Sequence, residues 1–367
     1  MNSAVPNQYL PNYVSPPGET LNELLEELGM SQAELSIRTG RPKKTINEII
    51  HGKAVITVDT ALQFERVLGV PASFWNNREQ LYRDFLARQE EEKRLREWSD
   101  WVDRFPYREM CKLGWVNYVP DKVERIRIIL NFFRISTPEQ FEAYWSKLSI
   151  SYRKSNAFKV NHEATYSWLQ RGEIEAQDRY IKSYDSKAFK FILQNIRNLT
   201  RLSPTEFIPQ VITLCAEVGV TVIFVPPLPG IRASGVTRWL SSKRPIIQMS
   251  LRHKSDDHFW FTFFHECKHV LQEKKTTIFV ESDEAHDDPL EREADSFAAN
   301  FLIPYAHYSR FISFGNLQTE SIINFSSDLG ISPGIVVGRL QHDRYLSWKH
   351  CNELKKNIEW VDVPKLL

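Results

Sequence analysis

The sequence predicts a helix-rich α+β protein. A bundle of five short helices comes first, then a helical middle region, then a C-terminal domain with a small β-sheet. Three observations carry this. Helix caps recur at short intervals between Gly18 and Arg88, aromatic and charged residues without strand alternation fill 89–202, and apolar strand-like runs begin after Ser203.

Residues 1–18, rich in Pro, Asn and Ser, read as a flexible arm. The first helix covers Glu19 to Leu28, with Leu21, Leu24, Leu25 and Leu28 on one side and Gly29 as its stop. Ser31-Gln32-Ala33-Glu34 forms a capping box that opens a second helix, which runs to Thr39-Gly40. A third starts near Pro42 and ends at His51-Gly52, burying Ile46, Ile49 and Ile50. Thr57 caps a fourth, with Ala61, Leu62, Phe64, Val67 and Leu68 inward before Gly69, and Pro71 opens a fifth. These elements make a domain over 19–88.

The region 89–202 opens as a long charged helix and turns aromatic, with Trp145, Trp168, Tyr180, Phe189 and Phe191 expected in its core because aromatics dominate buried area. The domain over 203–345 should hold strands at Val218–Val225, Ser234–Trp239 and Pro245–Leu251. A helix from about Asp257 and another from Pro289 to Leu302 follow them. One or two helices from about Thr319 and a polar tail over 346–367 end the chain.

A length of 367 residues implies two to three domains. Hydrophobic content of 42% beside 25% charged residues is that of a water-soluble globular protein. A formal net charge of +1 excludes a chain that coats nucleic acid by bulk charge, so DNA binding requires a local patch. Neither an export signal nor a membrane span is expected. Cys111, Cys215, Cys267 and Cys351 lack CxxC spacing and read as free thiols of a cytoplasmic microbial protein.

The second and third helices have the length and capping of a DNA-reading pair. The third presents Lys43, Lys44, Thr45, Asn47 and Glu48 away from its isoleucines; lysines suit phosphates, and Asn pairs both ways with adenine. Between residues 31 and 53, five basic residues (Arg38, Arg41, Lys43, Lys44, Lys53) face two acidic ones (Glu34, Glu48). A plain helical bundle with a solvated basic face has the same spacing. The run from Pro17-Gly18-Glu19 through Leu-Gly-Met-Ser-Gln-Ala-Glu-Leu and Thr-Ile-Asn-Glu-Ile-Ile-His-Gly-Lys to Phe74-Trp75 resembles the HigA-type branch of the Cro and phage-repressor helix-turn-helix superfamily. The resemblance implies Gln32, Lys43, Lys44, Thr45 and Asn47 as DNA contacts, and a homodimer on a palindromic double-stranded operator.

His265-Glu266-Cys267-Lys268-His269 sits late in an apolar helix. Four residues are about one turn, so both imidazoles leave one face and can hold one zinc ion, while Glu266, turned about 100° away, suits a base better than a ligand. A catalytic zinc needs a third protein ligand, and the acidic stretch from Glu281 to Asp295 offers candidates. Asp288-Pro289-Leu290-Glu291 also reads as an N-cap, an N1 proline and an N3 glutamate. Glu291 and Glu293 lie on opposite shoulders of a stripe formed by Leu290, Ala294, Phe297, Ala298, Phe301 and Leu302, and spacing does not choose between them. His258 lies about two turns before His265, too far to share an ion. His253, His258, Arg232 and Tyr305 are unranked candidates to donate to an oxyanion.

Phe261 through His269, then Glu291-Arg292-Glu293-Ala294-Asp295-Ser296-Phe297-Ala298 and Phe301-Leu302-Ile303-Pro304, resemble the ImmA/IrrE family of metallopeptidases, with Gly334 to Gln341 similar to its downstream part. This implies a zincin-like domain, Zn2+ held by His265, His269 and Glu291, Glu266 as catalytic base, and Asp295 behind the ligands. Gln272 stands where family members often carry another histidine, and Cys267 and Lys268 replace small residues. The joint expectation is a DNA-binding regulator with an integral zinc endopeptidase that cuts a repressor, an antitoxin or its own segment near Arg88 to Arg104. Alternatives are a non-catalytic antitoxin or repressor whose C-terminal domain binds metal or a toxin, and a housekeeping peptidase whose helical head binds proteins only.

Overall fold

The computed structural model describes residues 13–152, 162–273, 279–280 and 289–363, and of 146–152 and 279–280 the backbone alone. The Asp288 N-cap and the expected arm up to residue 12 lie outside the described residues. The chain divides into two compact units, residues 1–99 and 100–367.

The first unit holds α1 (Pro17–Glu27), α2 (Gln32–Thr39), α3 (Lys43–Ile50), α4 (Val58–Leu68) and α5 (Ala72–Glu97). Gly18 is required where α1 meets α3, because a Cβ there would stand 2.1 Å from the Ile49 carbonyl oxygen. Ser31 Oγ accepts the Glu34 N–H at 3.1 Å, and Gly40 ends α2 in the left-handed region at φ 71°. The Glu34 carboxylate turns to Arg38 at 2.5 Å, so an i,i+4 pair stands where the second half of the capping box was expected. Arg41 pairs with Asp59 and donates to Gln63 Oε1 at 2.7 Å, which ties the α2–α3 turn to α4. Thr57 caps α4 as expected, but Leu62 is exposed. The fifth helix and the charged helix after it are a single 26-residue element. Leu21, Leu35, Ile46, Phe64 and Trp75 form the fully buried centre of this unit.

The second unit begins with helices: α6 (Ser99–Val102), α7 (Tyr107–Lys112), α8 (Lys122–Phe133), α9 (Pro138–Tyr152), α10 (His162–Gln177), α11 (Ser186–Asn198) and α12 (Pro204–Glu217). Trp145, Trp168 and Phe189 are buried, whereas Tyr180 and Phe191 are 90% and 76% exposed, against expectation. Phe191 falls on the face of α11 opposite Phe189, Leu193 and Ile196, and Tyr180 lies in the surface connection before α11.

The sheet has the order β1 (Thr221–Phe224), β3 (Arg244–Met249), β2 (Gly235–Ser241), β4 (Phe279–Val280). The β1–β3 pair is parallel and the other pairs antiparallel. Alternation along β3 sends Ile247 and Met249 into the core shared with α13 (Asp256–Gln272) and Gln248 to the other face. There Gln248 donates to the Trp168 carbonyl at 2.8 Å, and the Trp168 indole donates to the Val225 carbonyl at 2.9 Å, so α10 covers that face. A Cβ on Gly172 would collide with Gln248 at 1.9 Å.

After the sheet and α13 come α14 (Pro289–Leu302), α15 (Tyr305–Ser313), α16 (Thr319–Leu329) and α17 (Pro333–His342). Buried Arg197 of α11 donates to the carbonyls of Phe301, Leu302 and Leu329, capping the ends of α14 and α16. The segment after α17 returns to the start of α13: Asp256 N–H donates to the Lys356 carbonyl at 3.0 Å and Ile358 N–H to the Lys254 carbonyl at 2.9 Å. No helix among the described residues is long and apolar enough to cross a membrane.

Candidate metal centre and candidate nucleic-acid interface

Phe259, Trp260, Phe263 and Phe264 anchor α13 in the core and hold its later turns against α14. His265, His269 and Glu291 are all buried, and one donor atom from each lies within 4.8 Å of the others. Nε2 of His265 is 2.9 Å from Nε2 of His269, and Glu291 Oε2 is 3.1 and 3.3 Å from the two nitrogens. The outer nitrogens decide the protonation of the inner ones. His265 Nδ1 lies 2.9 Å from Asp295 Oδ1 and His269 Nδ1 lies 2.8 Å from Gln272 Oε1. Gln272 donates from Nε2 to the Leu290 carbonyl and Glu293 Oε2, so its oxygen must accept from His269. Both imidazoles thus donate from Nδ1, and each Nε2 faces the other and a carboxylate, where one cation or one shared proton fits between them. That donor set suits one cation.

Burial alone raises the Glu291 carboxyl, but the hydrogen bonds and proximity of His265 and His269 overcome it and hold the group well below the carboxylate range. Burial, with His265 beside it, lowers the His269 imidazole against the opposing pull of Glu291. Both shifts keep the donors in the forms that ligate a metal. Glu293 instead points outward, 2.9 Å from Lys268 Nζ. Glu266 is fully buried beside Gly235, where a Cβ would come within 2.8 Å of its Oε1, and its carbonyl accepts from Thr237 Oγ1 at 3.0 Å. Burial pushes the Cys267 thiol far up, which keeps it an inert core group. His253 and His258 stack on each other at 4.2 Å outside the cluster, and Arg232 and Tyr305 are exposed. Gln272 departs from the family pattern, yet it stands three residues after His269 on the same helix, the spacing that places a side chain beside that histidine.

In the first unit Lys43, Lys44 and Asn47 are exposed on α3, and Thr45 is half-buried. Asn47 Nδ2 reaches Gln32 Oε1 at 3.5 Å, which brings the predicted contacts of α2 and α3 together. Lys44 faces Glu48 at 3.8 Å, and Arg41 is committed to Asp59, so the basic surface is smaller than the residue count implied.

Residues 21–75 match the helix-turn-helix family model, and residues 215–341 match the Peptidase M78 model, an IrrE N-terminal-like domain. The chain joins a helix-turn-helix domain to an IrrE-like M78 domain. The M78 match spans the sheet, α13, α14 and most of α17, while α10, α11 and the segment after α17 pack on it from outside the matched range. Among solved structures, the chain is similar to a putative antidote protein of a plasmid maintenance system from Nostoc punctiforme (29% identity, 23% of this chain and 91% of that one, TM-score 0.22). It is also similar to an addiction module antidote protein of the HigA family from Coxiella burnetii (29% identity, 23% and 92%, TM-score 0.21). A Pseudomonas aeruginosa protein solved with its operator DNA shares 30% identity over 20% of this chain and 82% of that one, with a TM-score of 0.20. No curated protein matches.

Proposed function

We propose that the protein is a DNA-binding regulator whose M78 domain is a zinc-dependent endopeptidase acting on a repressor, an antitoxin or the chain itself. The observation that supports it best is the convergence of the Nε2 atoms of His265 and His269 on the Glu291 carboxylate, with each imidazole held from behind by Asp295 or Gln272. In this reading His265, His269 and Glu291 hold the zinc, and Asp295 fixes the tautomer of His265. Bound zinc supplies a Lewis acid that polarises a carbonyl and eases deprotonation of water. Glu266 takes the proton from the attacking water and passes it to the leaving amine. Its burial excludes bulk solvent from that transfer.

The helix-turn-helix domain supplies the address. Gln32, Lys43, Lys44, Thr45 and Asn47 contact a double-stranded operator, Lys43 and Lys44 on phosphates and Asn47 on a base edge. The solved relative from Pseudomonas aeruginosa was captured on its operator. A homodimer acting in the cytoplasm completes the proposal, with domains over 19–88 and 203–345 joined by the helical region 89–202.

Metal analysis and cleavage test it together. The purified chain carries about one zinc, consistent with one closed donor set, and His265→Ala loses it. Glu266→Gln keeps the zinc and stops the cleavage seen when host proteins are compared by mass spectrometry. Wild-type protein without metal sinks the zinc site; cleavage that survives Glu266→Gln sinks the assigned base.

A further inference from the structure

Gly235, the first residue of β2, is buried where the strand passes α13. Its φ lies outside the left-handed region, so its backbone conformation is open to any residue and it is space that demands a glycine. A Cβ there would stand 2.7 Å from Thr262 Cγ2, 2.8 Å from Glu266 Oε1 and 2.9 Å from Glu266 Cγ. All three atoms belong to side chains of α13, and two of them to the proposed base. A glycine weakens a strand, and one kept there marks a place where another group comes close. Both backbones at this contact are held. Gly235 pairs with Met249 of β3, while Val236 pairs with Gln248 on one side and with Val280 of β4 on the other. On the helix, Phe259, Trp260, Phe263 and Phe264 are fixed in the core. Thr237, two residues along β2 and so on the same face as Gly235, donates to the Glu266 carbonyl at 3.0 Å. The strand therefore grips the backbone of Glu266 at one residue and leaves a slot for its carboxylate at another.

We infer that Gly235 is a positioning residue for the Glu266 carboxylate: the slot above its Cα sets where the acid stands beside the zinc ligands. The inference rests on the peptidase reading above. Side chains turn about their torsions more easily than a paired strand and a core helix separate, so a methyl at position 235 is accommodated by moving the acid. None of the three atoms it would meet first belongs to His265, His269 or Glu291. The displacement therefore falls on the base and spares the donor cluster.

Binding of acetohydroxamate to the zinc-loaded, full-length chain, followed by isothermal titration calorimetry, tests this without a substrate. The probe chelates zinc through its oxygens, and its hydroxyl donates a charge-assisted hydrogen bond to a carboxylate standing beside the metal. Wild type is expected to bind it at least about ten-fold tighter than Glu266→Ala, the effect of one such bond. Gly235→Ala falls to the Glu266→Ala level and keeps about one zinc per chain. Joining the two changes brings no further loss, because both remove the same contact. Thr262→Ser binds the probe as wild type does and gives the new methyl room on its other side. The loss persists when Gly235→Ala is made in that background, and a native melting curve there separates displacement of the acid from misfolding. Wild-type affinity in Gly235→Ala, loss of its zinc, or an additive loss in the variant that joins it to Glu266→Ala overturns the inference and spares the peptidase reading. Equal binding by wild type and Glu266→Ala defeats Glu266 as the base, and the role of Gly235 falls with it.

Discussion

Gln272 holds the proton of His269 on Nδ1 and so aims Nε2 at the cluster. Partners of this kind change metal affinity by about ten- to a hundred-fold when removed. Gln272→Ala is therefore expected to weaken zinc binding by that order in a competitive chelator titration, with the fold unchanged by circular dichroism. Glu293→Ala, on the outer side of Gln272 and Lys268, should retain wild-type metal content. A reversed order of effect assigns the third ligand to Glu293 instead. From spacing alone Glu291 and Glu293 were equivalent; the packing of α14 on α13 separates them, burying one and leaving the other at the rim.

At the scale of elements, α13 is positioned by contacts from the C-terminal part of the second unit. Its first turn is tied down by a buried carboxyl, Asp256, which takes the Ser332 hydroxyl at 2.6 Å and the Lys356 N–H at 2.9 Å. Burial raises the Asp256 carboxyl above its ordinary value, while those two donors pull it back down. A carboxyl raised in the folded state binds its proton more tightly there than in the unfolded chain. Its contribution is therefore greatest below the ordinary carboxylate value, and it falls as pH rises through the raised folded value. Ser332→Ala removes a donor that favours the charged form, so the variant should lose more stability at neutral pH than in acid. The expected loss near neutrality is about 1 kcal/mol. Thermal melts from about pH 4 to pH 7, bracketing the ordinary carboxylate value, check it. A loss independent of pH would show that the Ser332 bond does not depend on the charge of Asp256.

At the scale of the molecule, the chain divides into two compact units. The proposed DNA contacts lie in the first unit and the donor cluster in the second. Lys44→Ala combined with Asn47→Ala is accordingly expected to abolish a gel shift on the protein's own promoter and to leave zinc content at wild-type level. Wild-type binding should weaken as salt is raised, because lysine–phosphate contacts release counterions. A wild-type chain that shifts no promoter fragment at low salt removes the regulator reading. Residues 100–198 also acquire a place at this scale. They show no motif, yet α10 covers the outer face of the sheet and Arg197 caps the helix that carries Glu291.

What the sequence determined by itself was local. Caps, glycine stops and apolar periodicity set the helices of the first unit, and the one-turn spacing of His265 and His269 put two imidazoles on one face, because these depend on neighbours a few residues apart. Tertiary structure decided what spacing leaves open. It buried Glu291 beside His265 and His269 and left Glu293 at the rim, made Gln272 a partner of His269, exposed Tyr180 and Phe191, withdrew Arg41 from the basic surface, and packed residues beyond the M78 match against it. Each of these depends on contacts between segments distant in the chain, and those contacts exist only once helices and sheet have packed.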